Sequence, residues 1–284
     1  ITAVAEKFIT PIALTIGADK MVYIPELATG AVYKMRLDGT GREKIAQLKP
    51  GLDNLAITKQ GRLFITSYWD ATIYEVTTDG SGKFKQLFPA GPNQPLGIVA
   101  KGNALIVADA IMVRTVKDGQ YHPTKLNAWA AHGLPLPLSL ADGPGSQVFW
   151  TDCLHGAVAI GDPGSGEFKP VAGGLNQPMA ALMSAAGDKL FVAEYGAGQI
   201  TAVSLADGAK SVVTKELEGP LAMAEVGDTL YVAESRAGRI SAINIKTGHK
   251  EVSLSGMVGK PGASANDGMG HLLVLDGAGQ KLLR

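Results

Sequence analysis

A repeat of about 41 residues runs through the chain and constrains its fold more than any other feature. Each unit opens with two residues, usually proline and an apolar residue. A glycine-containing turn, an apolar run ending in an acid, a small loop and a second apolar run follow. The openings advance in steps of 43, 41, 42, 41, 42 and 41 residues through Pro11-Ile12, Asn54-Leu55, Pro95-Leu96, Pro137-Leu138, Pro178-Met179, Pro220-Leu221 and Pro261-Gly262. This regularity is the signature of a structural repeat.

The apolar runs of each unit are typical of β-strands. They are short, rich in β-branched and aromatic residues, and bounded by Gly, Asp and Ser, as in KLFVAE at residues 189–194. No segment keeps the apolar period of about 3.6 residues that marks a helix. Units of this length with four short strands predict an all-β fold, a seven-bladed β-propeller of four-stranded antiparallel blades.

The two ends of the chain complement each other. The last unit reaches Arg284 with only three strands, and residues 1–7 form one spare strand before the first unit. We expect this strand to complete blade seven and close the ring, because an open ring leaves an unpaired edge. Residues 1–284 are therefore interpreted as one domain, with blades starting near residues 8, 50, 92, 133, 174, 217 and 257.

Composition excludes several classes of protein. The chain carries 26 Lys and Arg against 26 Asp and Glu, so it lacks the basic footprint of a nucleic-acid partner. No run approaches the ~18 apolar residues of a membrane span. One cysteine excludes an intramolecular disulfide framework. The near-neutral surface and the start at Ile1 favour a periplasmic or secreted protein whose signal peptide has been removed. A start at Ile1 is equally compatible with a trimmed chain or with one domain of a longer protein.

Two blade motifs resemble known propeller repeats. Phe149 to Asp152 reads FWTD and resembles the YWTD motif, while Asn93 to Asp109 resembles the NHL repeat. The resemblance covers nearly the whole chain. It implies the propeller fold and leaves function open, because such propellers include enzymes, receptors and scaffolds.

Two enzyme families with similar blades imply specific sites. The resemblance to the gluconolactonase (senescence marker protein) family implies a divalent cation at the top of the channel, held by side chains at the inner-strand entries. Here only Asn54 matches, with Asp53 beside it, so these two residues are the metal candidates, and Ca²⁺, Mg²⁺ or Zn²⁺ is the candidate cofactor. The streptogramin lyases resemble this chain in blade number and use His near a metal, but no His stands at an inner-strand entry here.

The residue that ends strand two of each unit is acidic in six of the seven units: Glu26, Ser67, Asp109, Asp152, Glu194, Glu234 and Asp276. Because the position repeats in every blade, we expect a structural cause. A carboxylate there can accept backbone N–H groups of the next tight loop. Ser67 breaks the pattern, and the residues that follow it are unusual.

Positions that depart from the repeat gather on the face formed by the inner-strand entries and the loops between strands two and three. This face is called the top. We predict ligand contacts there and, as catalytic candidates, two histidines and one glutamate. Cys153 is interpreted as a buried, inert thiol. The ligand-binding candidates are Asp53, Asn54, Tyr68, Trp69, Tyr195 and Arg236, and the catalytic candidates are His132, His155 and Glu218.

Three functions fit these features. The favoured one is a recognition or scaffold module that binds a protein partner or a small ligand on the top face. The alternative is a metal-dependent hydrolase of a lactone or ester, or a lyase, working at the same face. A third is a subunit of a quinone- or haem-linked dehydrogenase. Convergence of at least three candidate side chains would favour an enzyme.

Overall fold

The structure is a computed structural model that describes residues 2–87, 94–102, 104–109, 112–117, 120–123, 137–162, 164–165, 167–256, 261–277 and 279–284. These residues form seven four-stranded antiparallel sheets and contain no helix. The predicted seven-bladed propeller is confirmed.

The strands are numbered in chain order. Blade one contains β2 (Thr15–Ile16), β3 (Met21–Pro25), β4 (Ala31–Arg36) and β5 (Glu43–Gln47), and blade two β6 (Leu52–Ile57), β7 (Leu63–Ser67), β8 (Thr72–Val76) and β9 (Phe84–Gln86). Blade three contains β10 (Pro95–Lys101), β11 (Ala104–Asp109), β12 (Met112–Lys117) and β13 (Gln120–Pro123), and blade four β14 (Pro137–Asp142), β15 (Val148–Asp152), β16 (Ala157–Asp162) and β17 (Glu167–Ala172). Blade five contains β18 (Pro178–Met183), β19 (Lys189–Glu194), β20 (Gln199–Ser204) and β21 (Lys210–Thr214), and blade six β22 (Pro220–Val226), β23 (Thr229–Glu234), β24 (Arg239–Asn244) and β25 (Lys250–Leu254).

Blade seven is built from both ends of the chain. Its strands are β26 (Pro261–Asn266), β27 (Leu272–Asp276), β28 (Lys281–Leu283) and, at the outer edge, β1 (Ala3–Ala5). The backbone groups of Thr2 and Arg284 exchange two hydrogen bonds of 3.0 Å. The predicted closure by the N-terminal strand is confirmed.

The first strand of each blade lines the channel, since first strands of neighbouring blades contact one another from blade one through to blade seven. Strand register also defines the top face. Pro95, which opens β10, lies opposite Asp109 at the end of β11, and Asp109 lies opposite Met112 at the start of β12. The entry to the inner strand and the loop between strands two and three therefore share one face, as predicted.

The core is divided among the seams between blades, and each seam holds its own apolar cluster. Neighbouring residues of strand two alternate between seams: Trp150 packs towards blade three and Phe149 towards blade five. A second strand is thus buried on both faces, which explains why its sequence is a continuous apolar run. The fourth strand lies at the rim, where Phe84 is exposed.

Candidate functional site

The acidic residues that end strand two are buried and fasten the top of each blade. Their exposure is at most 4%. In four blades the carboxylate accepts the backbone N–H of the segment entering its own inner strand, over 2.6 to 2.8 Å, in the pairs Ile9–Glu26, Gln94–Asp109, Asn176–Glu194 and Glu218–Glu234. In blades four and seven it accepts N–H groups of the loop that follows strand two, in the pairs Leu154–Asp152, His155–Asp152 and Gly279–Asp276.

The predicted structural role of these acids is therefore supported, but the predicted partner differs in most blades. The register places the end of strand two opposite the start of the inner strand, so the entering amide lies within reach of the carboxylate. We call this contact the entry clamp. It joins the segment arriving from the previous blade to the middle of the next one.

Glu234 shows how completely such a carboxylate is satisfied. It accepts the Glu218 amide at 2.6 Å, Nε and Nη2 of Arg239 at 2.9 and 2.8 Å, and the hydroxyl of Ser241. Burial alone would raise the pKa of Glu234, but the hydrogen bonds outweigh it and hold the pKa below its usual value. This acid is ionised and structural.

The inner strand of blade two begins at a different residue from the one that the repeat pattern predicted. Leu52, not Asn54, lies opposite the end of strand two, and the register shifts before Leu55. Leu52 thus occupies the position of the entry prolines, and the proposed opening at Asn54-Leu55 was wrong by two residues. The entry of blade two has no proline to mark it. The β-bulge that follows, which places Asp53 and Asn54 against Thr66, also follows the entry in blades three to seven.

The corrected register gives Asp53 a new set of equivalents. It matches the residue after each entry proline, where the other blades carry apolar residues or glycine: Ile12, Leu96, Leu138, Met179, Leu221 and Gly262. Asp53 is half-buried, and burial is the one cause that raises its pKa to about 6. Its neighbour Asn54 uses its side-chain oxygen to accept the Leu55 amide at 2.8 Å.

Two aromatic residues stand beside this entry. Trp69 is 63% exposed and Tyr68 is 41% exposed, so neither belongs to the core of the blade. The loop is held in place because the Tyr68 amide donates to the Gly51 carbonyl at 2.8 Å, and Trp69 lies directly against Gly51. The Tyr68 hydroxyl also lies 3.3 Å from Nε2 of Gln94, the residue before the entry of blade three.

The structure brings two other predicted ligand contacts together. The guanidinium of Arg236 lies 4.3 Å from the ring centre of Tyr195, and its Nε donates to the Tyr195 hydroxyl at 3.2 Å. The two residues belong to the loops of blades six and five. Their stacking is a cation–π contact across the seam. Ligand binding at either residue stays a prediction.

Glu218 lies beside an arginine that already pairs with the buried acid of blade six. Its amide forms the entry clamp of blade six, and its carboxylate lies 3.5 Å from Arg239, which also pairs with Glu234. The side chain is 59% exposed. Its proposed catalytic role remains untested.

The candidates of blade four are only partly described. Nδ1 of His155 lies 2.7 Å from Oδ2 of Asp152, so this ring is oriented by the structural acid. Cys153 is half-buried, and burial followed by the nearby Asp152 charge raises the pKa of its thiol, which keeps it protonated. His132, and with it the predicted pair of histidines, lies outside the described residues.

A metal site at Asp53 and Asn54 finds little support in the donors around it. No group of three or more His, Cys, Asp or Glu side chains converges anywhere in the described part of the chain. A hard cation takes six or more oxygen ligands, several of them carboxylates or carbonyls. Asp53 would supply one carboxylate, and Asn54 already binds the backbone.

Gly51 and Gln94 take part in this site although sequence reasoning did not select them. Gly51 has a φ of +96°, and its missing side chain makes room for Trp69. A glycine just before an entry that lacks proline was the available signal. Gln94 had no comparable signal, because its contact with Tyr68 crosses between blades.

The fold and its clamped entries define the chain as a seven-bladed β-propeller of four-stranded blades. Comparison with family models and with curated proteins returns no match. Solved structures do match: virginiamycin B lyase from Staphylococcus aureus is 15% identical with a TM-score of 0.81, over 99% of this chain and 96% of that one.

Two further structures show the range of proteins that share this architecture. Hydrazine synthase from Kuenenia stuttgartiensis has a TM-score of 0.78 at 14% identity, covering 98% of this chain and 96% of that one. A chain of the nidogen/laminin complex has a TM-score of 0.53 at 17% identity, covering 86% and 80%. The expected resemblance to streptogramin lyase and YWTD-type propellers is confirmed as a likeness of fold. The described residues include no helix that could cross a membrane.

Proposed function

We propose that the protein is a recognition module that binds a small ligand or a protein partner at the mouth of the channel on its top face. The observation that carries this proposal is the pair of exposed aromatic side chains, Tyr68 and Trp69, beside the entry of blade two. Exposed Tyr and Trp on a rigid scaffold are typical binding anchors, because they bury a large area and lose little conformational entropy.

The blade-two loop is organised before any ligand arrives. Its backbone is bonded to Gly51, and the Tyr74 hydroxyl donates to the Asp70 carboxylate at 2.5 Å. Lys49 pairs with the other oxygen of Asp70 at 3.4 Å. A loop ordered in advance reduces the entropy lost on binding, so the aromatic pair can contribute most of its contact energy.

The test is a fragment screen by ¹⁵N–¹H NMR that follows the Trp69 indole signal, assigned with the conservative Trp69→Phe variant. We expect saturable shifts from a subset of fragments and at least a tenfold loss of affinity in Trp69→Ala. Phe84→Ala is the matched control, because Phe84 is also an exposed aromatic residue of blade two but lies on the outer strand. Shifts that ignore Trp69, or equal losses in both variants, would reject the proposal.

The enzymatic alternative is a metal-dependent hydrolase or lyase working at the same face. It is supported by the similarity in fold to virginiamycin B lyase and by the raised pKa of Asp53, which suits acid–base chemistry near neutral pH. Elemental analysis of the purified protein, paired with melting curves with and without EDTA, separates the two functions. A stoichiometric divalent metal with an EDTA-sensitive melt would favour the enzyme.

The proposal extends to a periplasmic or secreted location, as expected from the sequence. Fractionation of cells that express the complete gene tests it directly. Recovery of the protein in the periplasm or medium would agree with a partner outside the cytoplasm, and recovery in the cytosol would contradict this part of the proposal.

A further inference from the structure

Blade two carries its acid in a different place from the other blades. Its second strand ends in Ser67, where the other six units have Asp or Glu. Its inner-strand entry carries Asp53, where the others have apolar residues or glycine. Blade two therefore lacks the buried acid at the end of its second strand and has an acid at the channel mouth instead.

The two kinds of acid have opposite surroundings. Asp109 accepts the Gln94 amide and pairs with Arg114 at 2.6 Å, and Glu234 is bonded on both oxygens. Asp53 has neither kind of support: in the described structure no hydrogen bond and no neighbouring charge offsets the burial that acts on it. A partly desolvated carboxylate without a partner is unfavourable in the free protein.

The strands packed on β6 offer Asp53 no free charge. They are β2, β3, β7 and β10. Their titratable residues are Tyr23, whose hydroxyl donates to Asp19 at 2.7 Å, and Lys101, which pairs with Asp142. β2 and β7 carry no ionisable side chain. A counter-charge for Asp53 must therefore come from outside this set of strands.

The position itself suits an incoming group. Asp53 lies in the β-bulge directly after the entry of blade two, on the strand that lines the channel; the same bulge follows the entry in blades three to seven, so it is the residue type that differs here. Half-buried apolar residues occupy equivalent places in blades one, three, five and six. Tyr68 and Trp69 stand at the rim of the same entry.

We propose, building on the function proposed above, that the channel mouth recognises a cationic group, a primary ammonium or a guanidinium on an apolar or aromatic body, with Asp53 as its counter-ion. The apolar body packs on Tyr68 and Trp69, and the charged group reaches the carboxylate between the inner strands. A charged hydrogen bond in a partly desolvated place is stronger than one in water. The ligand thus supplies the counter-charge that the neighbouring strands do not provide for Asp53.

The test uses three probes of one shape and different charge: benzylamine, benzyl alcohol and benzoate, each titrated to 50 mM while the Trp69 indole signal is followed. We expect benzylamine to bind at least tenfold more tightly than benzyl alcohol and benzoate to bind least. Asp53→Asn should remove this preference. Asp228→Asn should retain it, because Asp228 is an exposed acid paired with Lys246 on the opposite face.

The outcomes separate the two proposals. If benzyl alcohol binds at Trp69 as tightly as benzylamine, the proposal that Asp53 recognises a cationic group is rejected. It is also rejected if Asp53→Asn still binds benzylamine more tightly than benzyl alcohol. In both cases the proposal of recognition at Tyr68 and Trp69 stands. If no probe moves the Trp69 signal at 50 mM, both proposals are rejected. A second pair of probes, the capped peptides acetyl-Phe-Lys-Phe-amide and acetyl-Phe-norleucine-Phe-amide, distinguishes a lysine side chain from a free amine as the source of the charge.

Discussion

Trp69 occupies the space that a side chain at Gly51 would need. A Cβ added to Gly51 would lie 2.4 Å from both Cβ and Cγ of Trp69. Gly51 also has a φ of +96°, a conformation that other residues rarely adopt. The loop of blade two and the entry to its inner strand are therefore fitted to each other through one glycine.

Replacing this glycine should disturb the aromatic pair as well as stability. We expect Gly51→Ala to lower the free energy of unfolding by ~2–4 kcal/mol through backbone strain and the displaced indole. The Trp69 indole signal should shift, and binding at the top face should weaken. Gly61→Ala is the matched control, because Gly61 has a φ of +81° but no atom within 4 Å of an added Cβ. Equal losses for the two variants would contradict the contact.

Asp53 should make the protein less stable as the pH rises. Its pKa is raised from 3.8 to about 6, so the folded state holds a proton that the unfolded state releases between these values. Stability is unaffected below about pH 4, falls across this window and stays reduced above it. We therefore expect Asp53→Asn to have a free energy of unfolding ~1–3 kcal/mol higher than the wild type at pH 7.5 and nearly the same at pH 4.

Urea unfolding of both proteins between pH 4 and 8 measures this difference. Asp53→Leu provides a second variant, because leucine fills the equivalent position in blades three, four and six. It should be at least as stable as Asp53→Asn and should show no preference for benzylamine. Parallel pH profiles for wild type and Asp53→Asn would contradict the unpartnered state of this carboxylate.

The entry clamp of blade six should be a strong local contribution to stability. In Glu234→Gln the partly buried Arg239 loses its main counter-ion and Ser241 loses a charged acceptor, so we expect a loss of ~2–4 kcal/mol in urea unfolding. Asp228→Asn is the comparison, since its pair with Lys246 is exposed on both sides and should contribute less than ~0.5 kcal/mol. A loss in Glu234→Gln no larger than that would contradict the clamp.

The closing blade should be sensitive to acid. Burial alone would raise the pKa of Asp267, but hydrogen bonds led by that from Arg284 lower it to about 2. The stability from this pair is present above the unfolded pKa of about 4 and is lost as the pH falls towards 2. Asp267→Asn should lower the free energy of unfolding by ~2 kcal/mol at pH 7. Below pH 4 the stability of this variant should fall less steeply with decreasing pH than that of the wild type. If the two proteins lose stability equally below pH 4, the stabilising pair between Asp267 and Arg284 is contradicted.

The sequence predicted the fold because the repeat, the strand chemistry and the spare N-terminal strand agree with one another. It misplaced the entry of blade two because the true entry residue, Leu52, is not a proline, while Asn54-Leu55 two residues later reads like the openings elsewhere. It assigned the buried acids a structural role but the wrong partner in four blades. The prediction considered only amides in the loop after each acid, whereas the observed donors lie in the segment that comes from the previous blade. The contact between Arg236 and Tyr195 crosses a seam and leaves no trace in either repeat.

Blade two differs from the other six units in where it carries its acid. Six units keep the buried acid, and blade two carries Ser67 there with Asp53 at the channel mouth. Blade two shares its two apolar clusters with blades one and three alone, so a change in it leaves the cores of the other four blades intact. A ring of repeated blades can therefore gain a binding group through substitutions in one blade while the other blades maintain the fold. Its asymmetry, rather than its shared pattern, is where selection for a ligand would act.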